Sequence, residues 1–156
     1  MKRLFAMCVV FALVLATGSL LLAQGDPFVG TWKLNLAKSK YDPGPPPQSQ
    51  TRKWDDSGQV NVEGIGATGK PTSYGYPVKG DGKEYPTTGA VPNAADTIST
   101  KRIDANTIEA NFAKAGKHVE TATFKISNGG KTLTITAKGV LPTGQALNNV
   151  LVWDKQ

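Results

Sequence analysis

The sequence predicts an all-β protein: an antiparallel meander β-barrel of about 8–10 strands, behind an N-terminal signal helix. Three observations carry this. Beyond the first apolar run, hydrophobic residues alternate with polar ones at period two, the pattern of half-buried strands. Turn-forming clusters of Gly, Asn, Asp and Pro interrupt that pattern at a spacing of roughly 8–12 residues, too close for crossover helices. The 156 residues also include 17 Gly and 10 Pro, both poor helix residues. Closing such a meander removes the unpaired edges that invite aggregation.

The first element is an address. Lys2 and Arg3 precede an apolar run over residues 4–15, then Leu20-Leu21-Leu22-Ala23. A short positive stretch, an apolar stretch and a small residue describe a secretory signal peptide. The expected division is residues 1–23 as signal and 24–156 as one barrel domain, with cleavage near Ala23. Ala16-Thr17-Gly18 is a second cleavage candidate, and an uncleaved anchor is the rival reading. Cys8, the one cysteine, sits too early in the run to accept a lipid. The mature chain is then secreted or periplasmic, has no stable membrane span and contains no cysteine. Its stability has to come from its core alone.

The strands follow in order. Residues 28–36 place Phe28, Gly30, Trp32, Leu34 and Leu36 on one face. Tyr41-Asp42-Pro43-Gly44-Pro45-Pro46-Pro47 excludes helix and central strand and reads as an extended connection. Residues 50–54 and 59–65 flank Asp55-Asp56-Ser57-Gly58, a hairpin signal. Residues 71–78 and 83–88 flank Gly80-Asp81-Gly82, with Pro and Gly interrupting both. The second half is cleaner. Segment 97–103 leads through Asp104-Ala105-Asn106 into 107–113, where Ile108, Ala110 and Phe112 alternate with polar residues. Ala115-Gly116 turns into 118–126, with Ala122, Phe124 and Ile126 aligned. Asn128-Gly129-Gly130 is a tight-turn signal leading to 131–137, where Leu133, Ile135 and Ala137 share a face. The last segment, 146–153, is apolar on both faces and so has to be covered on both or close a barrel.

The two ends resemble a known family. Phe28-Val29-Gly30-Thr31-Trp32-Lys33-Leu34 resembles the first strand of fatty-acid-binding proteins. Its Gly30-Thr31-Trp32 core is similar to the G-x-W signature shared by lipocalins and avidins, together the calycin superfamily. Val152-Trp153-Asp154-Lys155-Gln156 resembles the closing strand of the fatty-acid-binding branch. The resemblance implies that Trp32 plugs one end of the barrel beside the strand carrying Trp153. The sequence also departs from that branch. A proline-rich segment replaces the helix-turn-helix lid. The positions of the Arg and Tyr that hold a fatty-acid carboxylate carry Leu151 and Trp153.

Motifs for chemistry are sparse. Gly64-Ile65-Gly66-Ala67-Thr68-Gly69-Lys70 approaches a phosphate-binding loop, but such a loop needs a helix after it. Pro71-Thr72-Ser73-Tyr74-Gly75 makes none, so the segment reads as a loop between strands. A single His, His118, excludes a His-based metal cluster, and no carboxylate pair can be assigned to a cleft. The chain is read as non-catalytic, without metal or cofactor. Losing Lys2 and Arg3 with the leader takes the net charge from +6 to +4. That balance, without a basic stripe, does not predict nucleic-acid binding.

The expected function is an exported lipocalin-like protein holding a small apolar or amphipathic ligand inside the barrel. Its expected lining is Trp32, Ile108, Phe112, Phe124 and Ile135, with Arg102 replacing the absent clamp if it points inward. The alternative is an interaction module for an envelope component, with a barrel filled by its own side chains. Tyr41, Trp54, Tyr74, Tyr76 and Tyr85 lie in Pro- or Gly-rich stretches and are expected at the surface or barrel mouth.

Overall fold

The computed structural model describes residues 25–156; the expected signal peptide and Cys8 lie outside them. Eleven strands follow one another: β1 Gly30–Leu34, β2 Ser49–Trp54, β3 Gln59–Ile65, β4 Pro71–Pro77, β5 Asp81–Pro86, β6 Thr88–Gly89, β7 Thr97–Asp104, β8 Thr107–Lys114, β9 Lys117–Ser127, β10 Thr132–Val140 and β11 Ala146–Lys155. Ten of these fall on the expected segments. The eleventh, β6, has two residues and no alternating pattern to announce it.

All pairings are antiparallel, in the order β5-β7-β8-β9-β10-β11-β1-β2-β3-β4-β6. The last strand returns to the first, with Trp32 opposite Lys155 and Leu34 opposite Trp153. The result is a nearly closed barrel whose seam lies between β5 and the β4–β6 edge. Residues 35–42 continue beside β11, where Lys40 bridges Val150 and Asn35 N–H donates to Val152 O at 2.8 Å. These bonds extend the pairing along the edge of β11 beyond β1, while its outward Val150 and Val152 are only partly buried.

Alternation sets the interior. Cross-strand pairs such as Ile135–Phe124 and Ala137–Ala122 stack inside, while the threonines between them face outward. Burial of large apolar side chains is the main stabilising term, and Trp32, Trp153, Phe28 and Phe124 are among the most completely buried.

One end is plugged. Trp32 Nε1 donates to Phe28 O at 2.8 Å. Phe28 packs at 5.0 Å on Trp54, which meets Phe124 edge-on at 6.0 Å. Lys155 Nζ stands 5.0 Å over the Trp32 ring. The tight β9–β10 turn is at this end, with positive φ at Asn128, Gly129 and Gly130, the conformation these residue types adopt at least cost. The opposite end carries the proline-rich connection and the β6–β7 connection.

Candidate functional site

The interior site is built from alternate residues of strands on opposite walls. Arg52 of β2, Tyr74 and Tyr76 of β4, Phe112 of β8, Phe124 of β9 and Ile135 of β10 surround a chamber of about 40 Å³. That is room for only two or three waters. Glu120, Ala137, Leu151 and Pro92 complete its rim. These four, with Tyr74, also wall a mouth of about 260 Å³, where Tyr41, Pro45, Pro47 and Leu147 form the outer lip. Larger open grooves of about 380 and 440 Å³ lie at the plugged end beside Gly25, Gly129 and Gly130. They hold no buried charged side chain, so the smaller interior chamber is the stronger candidate.

Arg52 defines the chamber. Only 3% of it is exposed. Its Nη1 donates to the Tyr76 hydroxyl at 2.6 Å. Its guanidinium carbon lies 4.7 Å from the Trp153 ring centre, 5.7 Å from Phe124 and 5.8 Å from Tyr76. Such rings attract a cation through their negative faces. Arg52 Nε has no hydrogen-bond partner, nor does Trp153 Nε1. Among the described residues no carboxylate lies within ion-pair distance of Arg52. A buried cation without a counter-charge is costly.

Glu120 sits between chamber and mouth, 8% exposed. Asn93 Nδ2 donates to its Oε2 at 2.5 Å. Burial pushes its carboxyl up to about 7, against the hydrogen bond from Asn93, which pulls it down. Tyr41 is half-buried at the lip, with its hydroxyl unpartnered. Burial raises that phenol to about 12 although the Arg52 charge opposes the shift. Burial likewise raises the Tyr74 phenol. At neutral pH the Tyr41 and Tyr74 phenols are therefore neutral, while the Glu120 carboxyl stands near its midpoint.

Of the residues expected to line a cavity, Phe112, Phe124 and Ile135 meet at the chamber. Trp32 and Ile108 are buried elsewhere in the core. Arg102 is at the plugged end and half-exposed. Its guanidinium pairs with Asp26, donates to Ala105 O at 3.2 Å and lies 5.2 Å over Phe28. The tyrosines and tryptophan expected at the surface or mouth divide. Tyr41 is at the mouth and Tyr74 spans mouth and chamber. Tyr76 is 3% exposed, inside, and Trp54 is core at the plugged end. β4 keeps its alternation despite its Pro and Gly, and both tyrosines fall on its inner face. Tyr85 lies on the seam strand β5 and donates to Asp81 at 2.7 Å.

Sequence reading missed Arg52 and Glu120. The signals were present: Arg52 shares a face with Trp54, and Glu120 extends the Ala122–Phe124–Ile126 row by one step. The glycine-rich segment after β3 is a hairpin turn, with Gly66 N–H donating to Lys70 O at 2.8 Å, so no phosphate loop forms. His118 is exposed and contacts Thr121 Oγ1 at 2.9 Å. Among the described residues no cluster of His, Cys, Asp and Glu could hold a metal ion, and no helix is long and apolar enough to cross a membrane.

No protein-family model matches the sequence, and no curated protein matches it. Solved structures do match. The extracellular fatty acid binding protein As-p18 aligns with a TM-score of 0.52 at 18% identity, covering 84% of this chain and 97% of that one. The zebrafish ileal bile acid-binding protein complexed with cholic acid aligns at 0.48 and 14% identity, covering 83% and 99%. The first likeness shows a shared fold, the nearly closed antiparallel β-barrel that the resemblance of the two ends implies.

Proposed function

We propose that the protein is an exported, non-catalytic barrel that binds a small amphipathic ligand through an anionic head group held at Arg52. The observation that carries this reading is the buried guanidinium without a counter-charge. An anion at the chamber satisfies Arg52 Nε and neutralises the charge, while an apolar tail lies in the mouth between Tyr41, Pro47, Leu147 and Leu151. Phe112, Phe124 and Ile135 form the apolar wall. Arg52, rather than Arg102, is the interior cation. The barrel shared with As-p18 supports an interior site, and the leader sequence supports export.

A second reading has its own observation. A chamber of about 40 Å³ is close to the side-chain-filled interior of a small barrel, as expected of an interaction module for an envelope component. Paired probes separate the two. Decanoate and decanol differ only in the head, and each competes against 1,8-anilinonaphthalene sulfonate fluorescence. The carrier reading expects decanoate to bind better by on the order of 10- to 100-fold, the value of a charge-assisted hydrogen bond. R52Q then removes that preference. Uptake of none of the three would leave the interaction module.

A further inference from the structure

The connection between β6 and β7 crosses the mouth. Its two ends are tied to the barrel: Ala90 N–H donates to Ser73 O at 3.1 Å, and Asp96 N–H to Ala113 O at 2.9 Å. Thr87 Oγ1 adds a bond to Ala95 O at 2.8 Å. Between these ties the backbone bonds only to itself, Ala94 N–H to Val91 O and Ala95 N–H to Pro92 O. The side chains of Val91 and Ala95 are buried at either end. Pro92 walls both the chamber and the mouth.

The centre of the strap is strained and held at one point. Asn93 and Ala94 have φ of 59° and 52°, a left-handed conformation that costs non-glycine residues energy, least of all Asn. Among the described residues, the bond from Asn93 to Glu120 is the one hydrogen bond joining residues 91–94 to the barrel. Its acceptor is the carboxyl oxygen of the buried Glu120, and a buried acceptor or donor left without its partner is costly. The chamber behind the strap is too small for an organic head group until a wall moves.

We infer that residues 91–95 are a hinged gate over the Arg52 chamber, and that the Asn93–Glu120 hydrogen bond is its latch. The inference rests on reading the chamber as a binding site, but the gate is testable without ligand. The full chain carrying C8S and A122C has one thiol, on a wall of the chamber that the mouth does not share. Its alkylation by iodoacetamide reads the opening of the gate. N93G removes the donor and tolerates the positive φ, while N93D sets a second carboxylate against Glu120. Both are expected to raise the alkylation rate, on the order of 10-fold for loss of a buried hydrogen bond. Amide exchange at Ala90 and Asp96 is expected to stay slow, which separates local opening from unfolding. An unchanged rate in both variants, or a faster rate with the hinge amides equally exposed, overturns the latch. Decanoate added to the same variants tests the site separately. Faster alkylation that decanoate does not slow supports the gate and contradicts the binding reading.

Discussion

Substituting E120Q gives the sharpest stability test, because the geometry sets both its sign and its size. Glu120 is nearly inaccessible, and burial raises its carboxyl from 4.5 to about 7. A group whose pKa is higher folded than unfolded favours folding when protonated. Its contribution is fully present below about 4.5 and is lost as pH rises through about 7. The span corresponds to about 3 kcal/mol. The exposed carboxylates Asp55, Asp81, Asp96 and Asp104 act in the opposite sense. Hydrogen bonds from the Ser57 and Tyr85 side chains and from the Ala115 and Asn106 backbones, respectively, hold them below the usual carboxylate range. Their contributions are lost only as pH falls below that range, roughly pH 4. Between about pH 5 and 8 Glu120 therefore governs the slope. Gln preserves the shape and can still accept from Asn93. Urea unfolding across that window should show the parent protein losing about 2.5 kcal/mol while E120Q stays level. The two should be nearly equal at pH 5, with E120Q more stable at pH 8. Parallel curves for the two proteins would refute the assignment of a buried, charge-averse carboxyl.

Other perturbations follow from the same interior. Y76F keeps the ring at 5.5 Å from Phe112 but leaves Arg52 Nη1 without its acceptor. A loss of about 1.5–3 kcal/mol is expected in chemical denaturation, as for a bond to a charged group. F112A empties a chamber wall and should cost about 3–5 kcal/mol. It should also change the affinity for decanoate, whereas a filled barrel would show the stability loss alone. R102Q breaks a contact at the plugged end and should leave decanoate affinity unchanged in the same competition assay.

The fold was legible because its strands alternate. In β8, β9 and β10, rows such as Ile108–Ala110–Phe112 and Leu133–Ile135–Ala137 identify both the strand and its inner face. Where Pro and Gly break the pattern, the signal weakens. Residues 71–77 read as a poor strand, yet register with β3 sets Tyr74 opposite Val62 and Tyr76 opposite Val60, which turns both tyrosines inward. The site was harder to read, because charged residues in a strand ordinarily face solvent. Arg52 and Glu120 occupy inward positions of alternating rows, and only the closed barrel brings Arg52 under the ring of Trp153. Arg102 lies toward the end of β7, where its partner Asp26 comes from the segment before β1, a pairing that no local pattern encodes.

The most direct test of binding at Arg52 is native mass spectrometry of the protein purified from its native source, beside R52Q prepared in the same way. A bound mass released on denaturation, acidic in character and missing from R52Q, is the expected result. A bare polypeptide mass in both proteins, together with no uptake of 1,8-anilinonaphthalene sulfonate, would contradict the account and leave a barrel closed around its own arginine.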